Sequence, residues 1–198
     1  MRIISGKFKS RKIDFPKNKL TRPMTDRTKE TLFNMLGSLV FEKNILDLFS
    51  GSGSIGLEAL SRGARHVTFV DEAIWAVKVI QKNLQTLELE PQAKIMQTDV
   101  LKAITKLEKQ NERFSIIFVD PPFFSGMVKK ALMKLDRSDI VLPFAQVIVG
   151  HPAKEPLPDD LQVLKCVRTK KIGQACLSFY FRLDASDEQT QGYLSGQL

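Results

Sequence analysis

From residue 45 onward the apolar positions of the chain fall into two alternating rhythms. Short, nearly continuous apolar runs at 45–49, 66–71, 93–99, 114–119 and 145–149 have the length and β-branched or aromatic content of buried strands. Between them, residues 57–62, 73–87, 100–109 and about 127–135 repeat their apolar positions at helical spacing. Strict alternation of strand and helix predicts a doubly wound, mostly parallel α/β sheet with right-handed crossovers. Two more strands, at about 161–168 and 175–182, are expected to close the sheet as a hairpin and bring it to seven strands.

The first 44 residues follow a different pattern. Residues 2–15 alternate loosely through Ile3, Ile4, Phe8, Ile13 and Phe15, which predicts a short two-stranded extension. Pro16, Lys17, Asn18 and Lys19 form a polar connector. The stretch from Thr21 to Asp26 leads into a helix that Thr25 or Asp26 can cap, with Thr28, Leu32, Met35 and Leu36 on its apolar side and Gly37 at its end. Beyond Asp184 the chain is polar, holds acids but no Lys or Arg, and has no apolar period, so it is expected to be disordered or loosely docked. The expected division is therefore 1–42, a basic hairpin and helix; 43–183, the α/β domain; and 184–198, a polar tail.

Composition narrows the possible classes. With 198 residues, 43% hydrophobic and 26% charged, the chain suits one domain of ordinary size. No apolar stretch approaches the roughly 18 to 20 residues needed to span a bilayer, and the N-terminus has no signal-peptide core, so a cytoplasmic protein is expected. Cys166 and Cys176 lack zinc-like spacing and read as reduced thiols that face each other across the hairpin; no metal is expected.

The net charge of +8 is unevenly placed. Residues 1–30 hold ten cations (Arg2, Lys7, Lys9, Arg11, Lys12, Lys17, Lys19, Arg22, Arg27 and Lys29) against three acids, so nearly all the excess lies there. Such a segment is an electrostatic footprint for a polyanion, and nucleic acid is favoured over a membrane surface. Arg2, Lys7, Lys9, Arg11, Lys12, Arg22 and Arg27 are the candidate RNA contacts.

Two stretches carry candidate chemistry. Gly51-Ser52-Gly53-Ser54-Ile55-Gly56 fits G-x-G-x-x-G between a strand and a helix. In that frame Gly51 permits the tight turn, Gly53 lets a ligand approach the backbone, and Gly56 lets the helix pack on the sheet. Asp71, at the end of the next strand, can accept from both ribose hydroxyls of an adenosine-containing cofactor. Nicotinamide dinucleotides use the same frame, but Asp47 suits a ligand ammonium and would be unhelpful beside a pyrophosphate. Asp99, at the end of the third strand, can accept from an adenine amine; either acid could instead cap a helix or end a strand. Phe49, Ser50, Ser52, Glu72 and Val100 flank these positions and complete the expected cofactor set, which points to S-adenosyl-L-methionine.

The second stretch is Asp120-Pro121-Pro122-Phe123, straight after a buried strand. Prolines cannot continue the ladder, so the carbonyls there are left free. An acid, a stiff turn and an aromatic make a clamp for a flat, amine-bearing group. The first and fourth strands are neighbours at the switch point of a doubly wound sheet, so clamp and glycine loop open into one crevice.

These motifs resemble a known family. D-L-F-S-G-S-G-S-I-G-L-E-A-L-S-R-G-A at 47–64 and F-V-D-P-P-F at 118–123 are similar to the bacterial 16S rRNA guanine-N2 methyltransferases of the RsmD type. So are the N-terminal R-I-I-S-G-K-F-K-S-R-K and T-R-P-M-T-D-R-T-K-E-T-L-F-N-M-L, and the late I-G-Q-A-C-L-S-F-Y-F. The likeness covers residues 1 to about 182. It implies a Rossmann-like class I methyltransferase with 16S rRNA or a small-subunit assembly particle as substrate and S-adenosyl-L-methionine as donor; a monomer is expected. Asp120 and the Pro121 carbonyl would orient the guanine amine, with Pro122 stiffening the turn. Phe123 would stack on the base, which is worth roughly 1–3 kcal/mol. Gly150-His151 departs from the pattern, where an acid is expected after the fifth strand. DNA adenine and protein glutamine methyltransferases share the amine clamp, and a non-catalytic RNA-binding assembly factor could share the fold.

Overall fold

A computed structural model describes residues 1–15 and 24–183. The expected connector, Arg22 and the polar tail lie outside the described residues. Seven strands form one sheet in the order β3-β2-β1-β4-β5-β7-β6. β1 (Asn44–Leu48), β2 (His66–Asp71), β3 (Ala93–Gln97), β4 (Phe114–Val119) and β5 (Val141–Pro152) are parallel, and β7 (Ala175–Arg182) runs antiparallel between β5 and β6 (Leu164–Ile172). The helices are α1 (Asp26–Leu36), α2 (Ser54–Ser61), α3 (Ile74–Leu87), α4 (Val100–Lys109) and α5 (Met127–Asp136).

Alternating side chains divide the core into two layers. Ile45, Val67, Phe69, Ile116, Phe118 and Ile148 point to one face, where they meet Leu32 and Phe33 of α1, Leu57 and Leu60 of α2 and Ile80 and Leu84 of α3. Leu46, Leu48, Val70, Ile117, Val119, Val147 and Val149 point to the other, against Ile104 and Leu107 of α4 and Leu132 and Leu135 of α5. Both faces being covered explains why the strands read as continuous apolar runs.

Several expectations shift. The N-terminal hairpin is reduced to one antiparallel bridge, Arg2 with Lys12, and a few flanking hydrogen bonds. The segment is held instead by burying Ile3 and Ile13 in the α1–α3 layer. α2 starts at Ser54, three residues early, because Gly53 already serves as its N-cap. β3 stops at Gln97, because Asp99 caps α4 by accepting from the Lys102 amide at 3.0 Å. β5 is longer than expected and slips register against β4 between Phe114 and Ile116. β6 lies later than expected, and its Lys170 and Lys171 belong to the strand. It is the sheet's edge, where exposed lysines discourage further pairing. That register places Cys166 opposite Tyr180 and Cys176 opposite Lys171. The two cysteines therefore do not face each other, and both are free thiols.

Candidate active site

β1 and β4 are neighbours at the centre of the sheet, with connections leaving in opposite directions. Pairing of Asp47 with Phe69 and Phe118 fixes which acids share a face. Asp71 lies two residues past Phe69 and Asp120 two past Phe118, so period-two alternation points all three carboxylates to the α1–α3 face.

Asp47 is 1% exposed and accepts from the Gly56 amide at 3.1 Å. Burial pushes its carboxyl up to about 8 against the pull of that hydrogen bond, and repulsion from Asp120 and Asp71 adds to the rise. That repulsion shows that the three acids are gathered at the strand ends. A cation bound there would favour ionisation of the buried Asp47 carboxyl, whereas a pyrophosphate would be repelled by its carboxylate neighbours.

The glycine loop is tied at several points. Asp71 accepts from the Gly51 amide at 2.8 Å and the Ala73 amide at 2.9 Å, so it joins the loop to the start of α3. Each carboxylate oxygen keeps a further lone pair for a ligand hydroxyl. Gly51 has the positive φ of 54° that the tight turn needs, but Gly53 differs from expectation. A Cβ on Gly53 would meet Ile80 at 3.0 Å and Phe69 at 3.3 Å, whereas one on Gly51 would project into open space. Gly51 is therefore the open side of the turn, and Gly53 is packed against the core. Phe49 has a positive φ of 62°, a strained conformation that the surrounding bonds hold in place.

Other expected cofactor residues divide by where their side chains go. The Ser50 hydroxyl donates to the Asp47 carbonyl at 2.6 Å and accepts from the Val70 amide at 2.9 Å, so it stitches β1 to β2. The Ser52 hydroxyl lies against the Met1 sulfur. Val100 is buried in the α4–α5 layer, which leaves only its backbone for a ligand. Glu72 is exposed beside Asp71. Ile74, missed from the sequence, is exposed on the first turn of α3, where an apolar surface adjoins Asp71.

The Asp120 loop is held far more loosely. Its carboxylate has no hydrogen-bond partner among the described residues, and burial pushes it up to about 6. The Pro121 carbonyl has no backbone partner either, whereas that of Pro122 accepts from Ser125 at 3.3 Å. Phe123 is 41% exposed and packs edge-on against Phe124, which is 73% exposed. Gly150 is the residue whose role the sequence left open. A Cβ there would lie 2.2 Å from Asp120 Oδ1, so a side chain at 150 would occupy the space of the carboxylate. The acid expected after β5 has no room. His151 is buried, and its ring bonds the Pro152 carbonyl and the Ser178 hydroxyl.

A family model described as conserved hypothetical protein 95 matches residues 1–181. The chain belongs to that family. Ribosomal RNA small subunit methyltransferase D of Haemophilus influenzae is 36% identical over 168 residues, covering 83% of this chain and 86% of that protein. The Escherichia coli protein of the same name is 33% identical over 182 residues, covering 92% and 90%. A solved structure described as "Putative methyltransferase yhhF from Escherichia coli" superposes with a TM-score of 0.78 at 31% identity, over 92% of this chain and 98% of that one. The architecture is thus the Rossmann-like methyltransferase fold of the conserved hypothetical protein 95 family.

In this family member the basic N-terminus is locked onto the methyltransferase core. Glu58 of α2, fully buried, accepts from the Ile4 amide at 2.8 Å, the Ser5 amide at 3.0 Å and Arg62 Nε at 2.9 Å. Lys29 lies 3.5 Å from Glu58 and donates to the Arg2 carbonyl at 2.9 Å. Burial lowers the Lys29 pKa while Glu58 opposes that shift. Lys29 was counted with the basic surface, but it is 0% exposed and does not belong to it. Asn83 of α3 bonds both the Asp14 backbone and the Ser52 carbonyl, which connects the segment to the glycine loop. Among the expected RNA contacts, Arg2 pairs with Asp26, Arg11 reaches the Thr86 carbonyl and Lys7 lies over the Phe8 ring. Lys9, Lys12 and Arg27 are exposed.

Proposed function

We propose that this chain methylates the exocyclic N2 amine of a guanine in small-subunit ribosomal RNA, with S-adenosyl-L-methionine as donor. The observation that carries the reading is the Asp120 loop: a carboxylate and a proline carbonyl, both without partners among the described residues, beside a carboxylate-lined glycine loop. The names of the methyltransferase D relatives support the substrate class.

The residues present fit the cofactor. Gly51 leaves open space at the turn. Asp71 retains lone pairs for ribose hydroxyls, and the gathered carboxyls would be stabilised in their ionised forms by a molecule carrying an ammonium and a sulfonium. Ile74 and Asp99 would border the adenine. The cofactor supplies a methyl group already activated by the positive sulfur.

The chain's own task is then to position the amine. A guanine amine is a weak nucleophile because its lone pair is delocalised into the ring. Accepting its two hydrogens at Asp120 and the Pro121 carbonyl orients that lone pair, and positioning of this kind is a large contribution in two-substrate reactions. An acid raised to about 6 is poised to take the departing proton near neutral pH. Phe123 would stack on the base, which must be unstacked or flipped to enter. The basic residues 1–12 and Arg27 would hold phosphates, with the enzyme acting as a cytoplasmic monomer.

The test is transfer of labelled methyl to unmodified small-subunit RNA, naked and as a ribonucleoprotein particle, followed by digestion to nucleosides. Label in N2-methylguanosine is the expected result. Label in an adenosine or in protein would refute the assignment.

A further inference from the structure

The strongest feature outside the crevice is a groove of about 630 Å³ on the opposite face of the sheet, lined by Thr98, Leu101, Lys102, Thr105, Lys106, Lys109 and Lys134. Four of its seven residues are lysines and none is acidic. Lys102, Lys106 and Lys109 recur at i, i+4 and i+7, so they form one stripe along α4, and Lys134 joins them from α5. None of the four is ion-paired among the described residues, whereas Lys29, Lys82 and Lys94 each have an acid partner.

Helix electrostatics account for only part of this. Lys106, Lys109 and Lys134 lie in last turns, where cations complement the helix dipole. Lys102 lies in the first turn of α4, where the dipole disfavours a cation. A cation at that position, among three more in a groove whose lining holds no acid, is an arrangement that an anion would relieve.

The groove's place in the fold identifies the anion. Thr98 and Lys102 flank Asp99 at the carboxyl ends of the strands, so one end of the groove lies beside the crevice, and Lys106, Lys109 and Lys134, in last turns, continue it away along the helices. The basic N-terminus packs on the α1–α3 face, as Ile3 and Ile13 show, while α4 and α5 cover the other. The crevice therefore has a cationic surface on each side. We propose that the α4–α5 groove is a second RNA-binding surface, which takes the phosphate backbone flanking the target nucleotide on the side away from the N-terminus. This rests on the methyltransferase reading above.

The experiment compares wild type with the quadruple variant Lys102→Gln/Lys106→Gln/Lys109→Gln/Lys134→Gln. Glutamine keeps the helix propensity of lysine. Affinity for unmodified small-subunit RNA is measured over a series of salt concentrations, with S-adenosylmethionine binding followed by calorimetry. Each lost phosphate contact should flatten the log affinity against log salt slope by roughly 0.7–0.9, or about 3 for all four, with cofactor affinity unchanged. If the quadruple variant does not fold, the pair Lys106→Gln/Lys109→Gln, at exposed positions, should flatten it by about half as much. Unchanged RNA affinity and slope beside an active wild type would overturn this inference alone. Weakened binding to an assembled particle with normal affinity for naked RNA would overturn it in favour of an acidic protein partner. A wild type that methylates no RNA would overturn the function reading itself, and this inference with it.

Discussion

The loops after β1 and β4 sit side by side at the same end of the sheet, yet they are built in opposite ways. In the glycine loop nearly every polar group is committed: Asp47 to Gly56, Ser50 to both strands, Asp71 to Gly51 and Ala73. In the Asp120 loop the carboxylate and the Pro121 carbonyl have no partners among the described residues, and two phenylalanines face solvent. The first loop is a finished cradle, whose shape does not depend on its ligand. The second keeps its hydrogen-bonding capacity in reserve for the group that reacts. Such unfinished chemistry costs stability and persists where function uses it.

The sharpest way to break the comparison is Asp120→Ala. It should lower kcat by about 10²- to 10⁴-fold, the range for loss of a positioned acid–base group, with S-adenosylmethionine affinity intact. In the wild type kcat/KM should rise with pH and level off above about 6, as the carboxyl ionises, and the variant should lack that limb. Lost cofactor binding with normal residual turnover would place Asp120 in the cradle instead.

Gly150→Ala tests the reserve loop without touching its chemistry. The added methyl would stand 2.2 Å from Asp120 Oδ1, so the carboxylate must move. A misplacement near 1 Å can cost about 10²-fold in rate. Steady-state kinetics should show the loss in kcat, and calorimetry should show ordinary cofactor binding.

Asp71→Ala acts on the cradle. Hydrogen bonds to charged groups are worth about 1.5–3 kcal/mol, so cofactor affinity should fall roughly ten- to a hundredfold. The Gly51 and Ala73 amides lose their acceptor as well, so the melting temperature should drop. An affinity unchanged in a folded variant would remove Asp71 from the cofactor site.

The smallest effect concerns pH and Asp47. Its carboxyl has an ordinary value of 3.8 and is raised to about 8 in the folded chain, so folding takes up a proton between those limits. The stability it contributes is fully present below 3.8 and is lost as pH rises through about 8. Asp47→Asn does not titrate, so the cofactor-free variant should gain stability relative to wild type between pH 5 and pH 8. Denaturant melts at the two pH values measure this; a difference that stays constant or shrinks would contradict the raised carboxyl.

Legibility in the sequence followed the distance between partners. The glycine fingerprint, Asp71 and the proline turn could be read because each is a local pattern with its own backbone logic. Gly150 could not, because its reason for being glycine is a carboxylate on another strand, brought abreast only by the β4–β5 register. Lys29 read as surface charge for a similar reason: the sequence shows the charge but not the buried Glu58 that receives it. β6 was misplaced because an edge strand facing solvent with most of its residues lacks the alternation that marks the inner strands. The split of Gly51 and Gly53 also needed the structure, since the motif does not say which missing Cβ faces the ligand.

Glu58 has a consequence for the order in which the chain can assemble during synthesis. The ribosome makes residues 3–5 first, yet the carboxylate that receives the Ile4 and Ser5 amides follows more than fifty residues later. Until α2 has emerged, the basic segment lacks that acceptor and Lys29 lacks its buried counter-charge. The oldest part of the nascent chain thus waits for a younger one, and it finds its place only when the helix that follows the glycine loop is there to receive it.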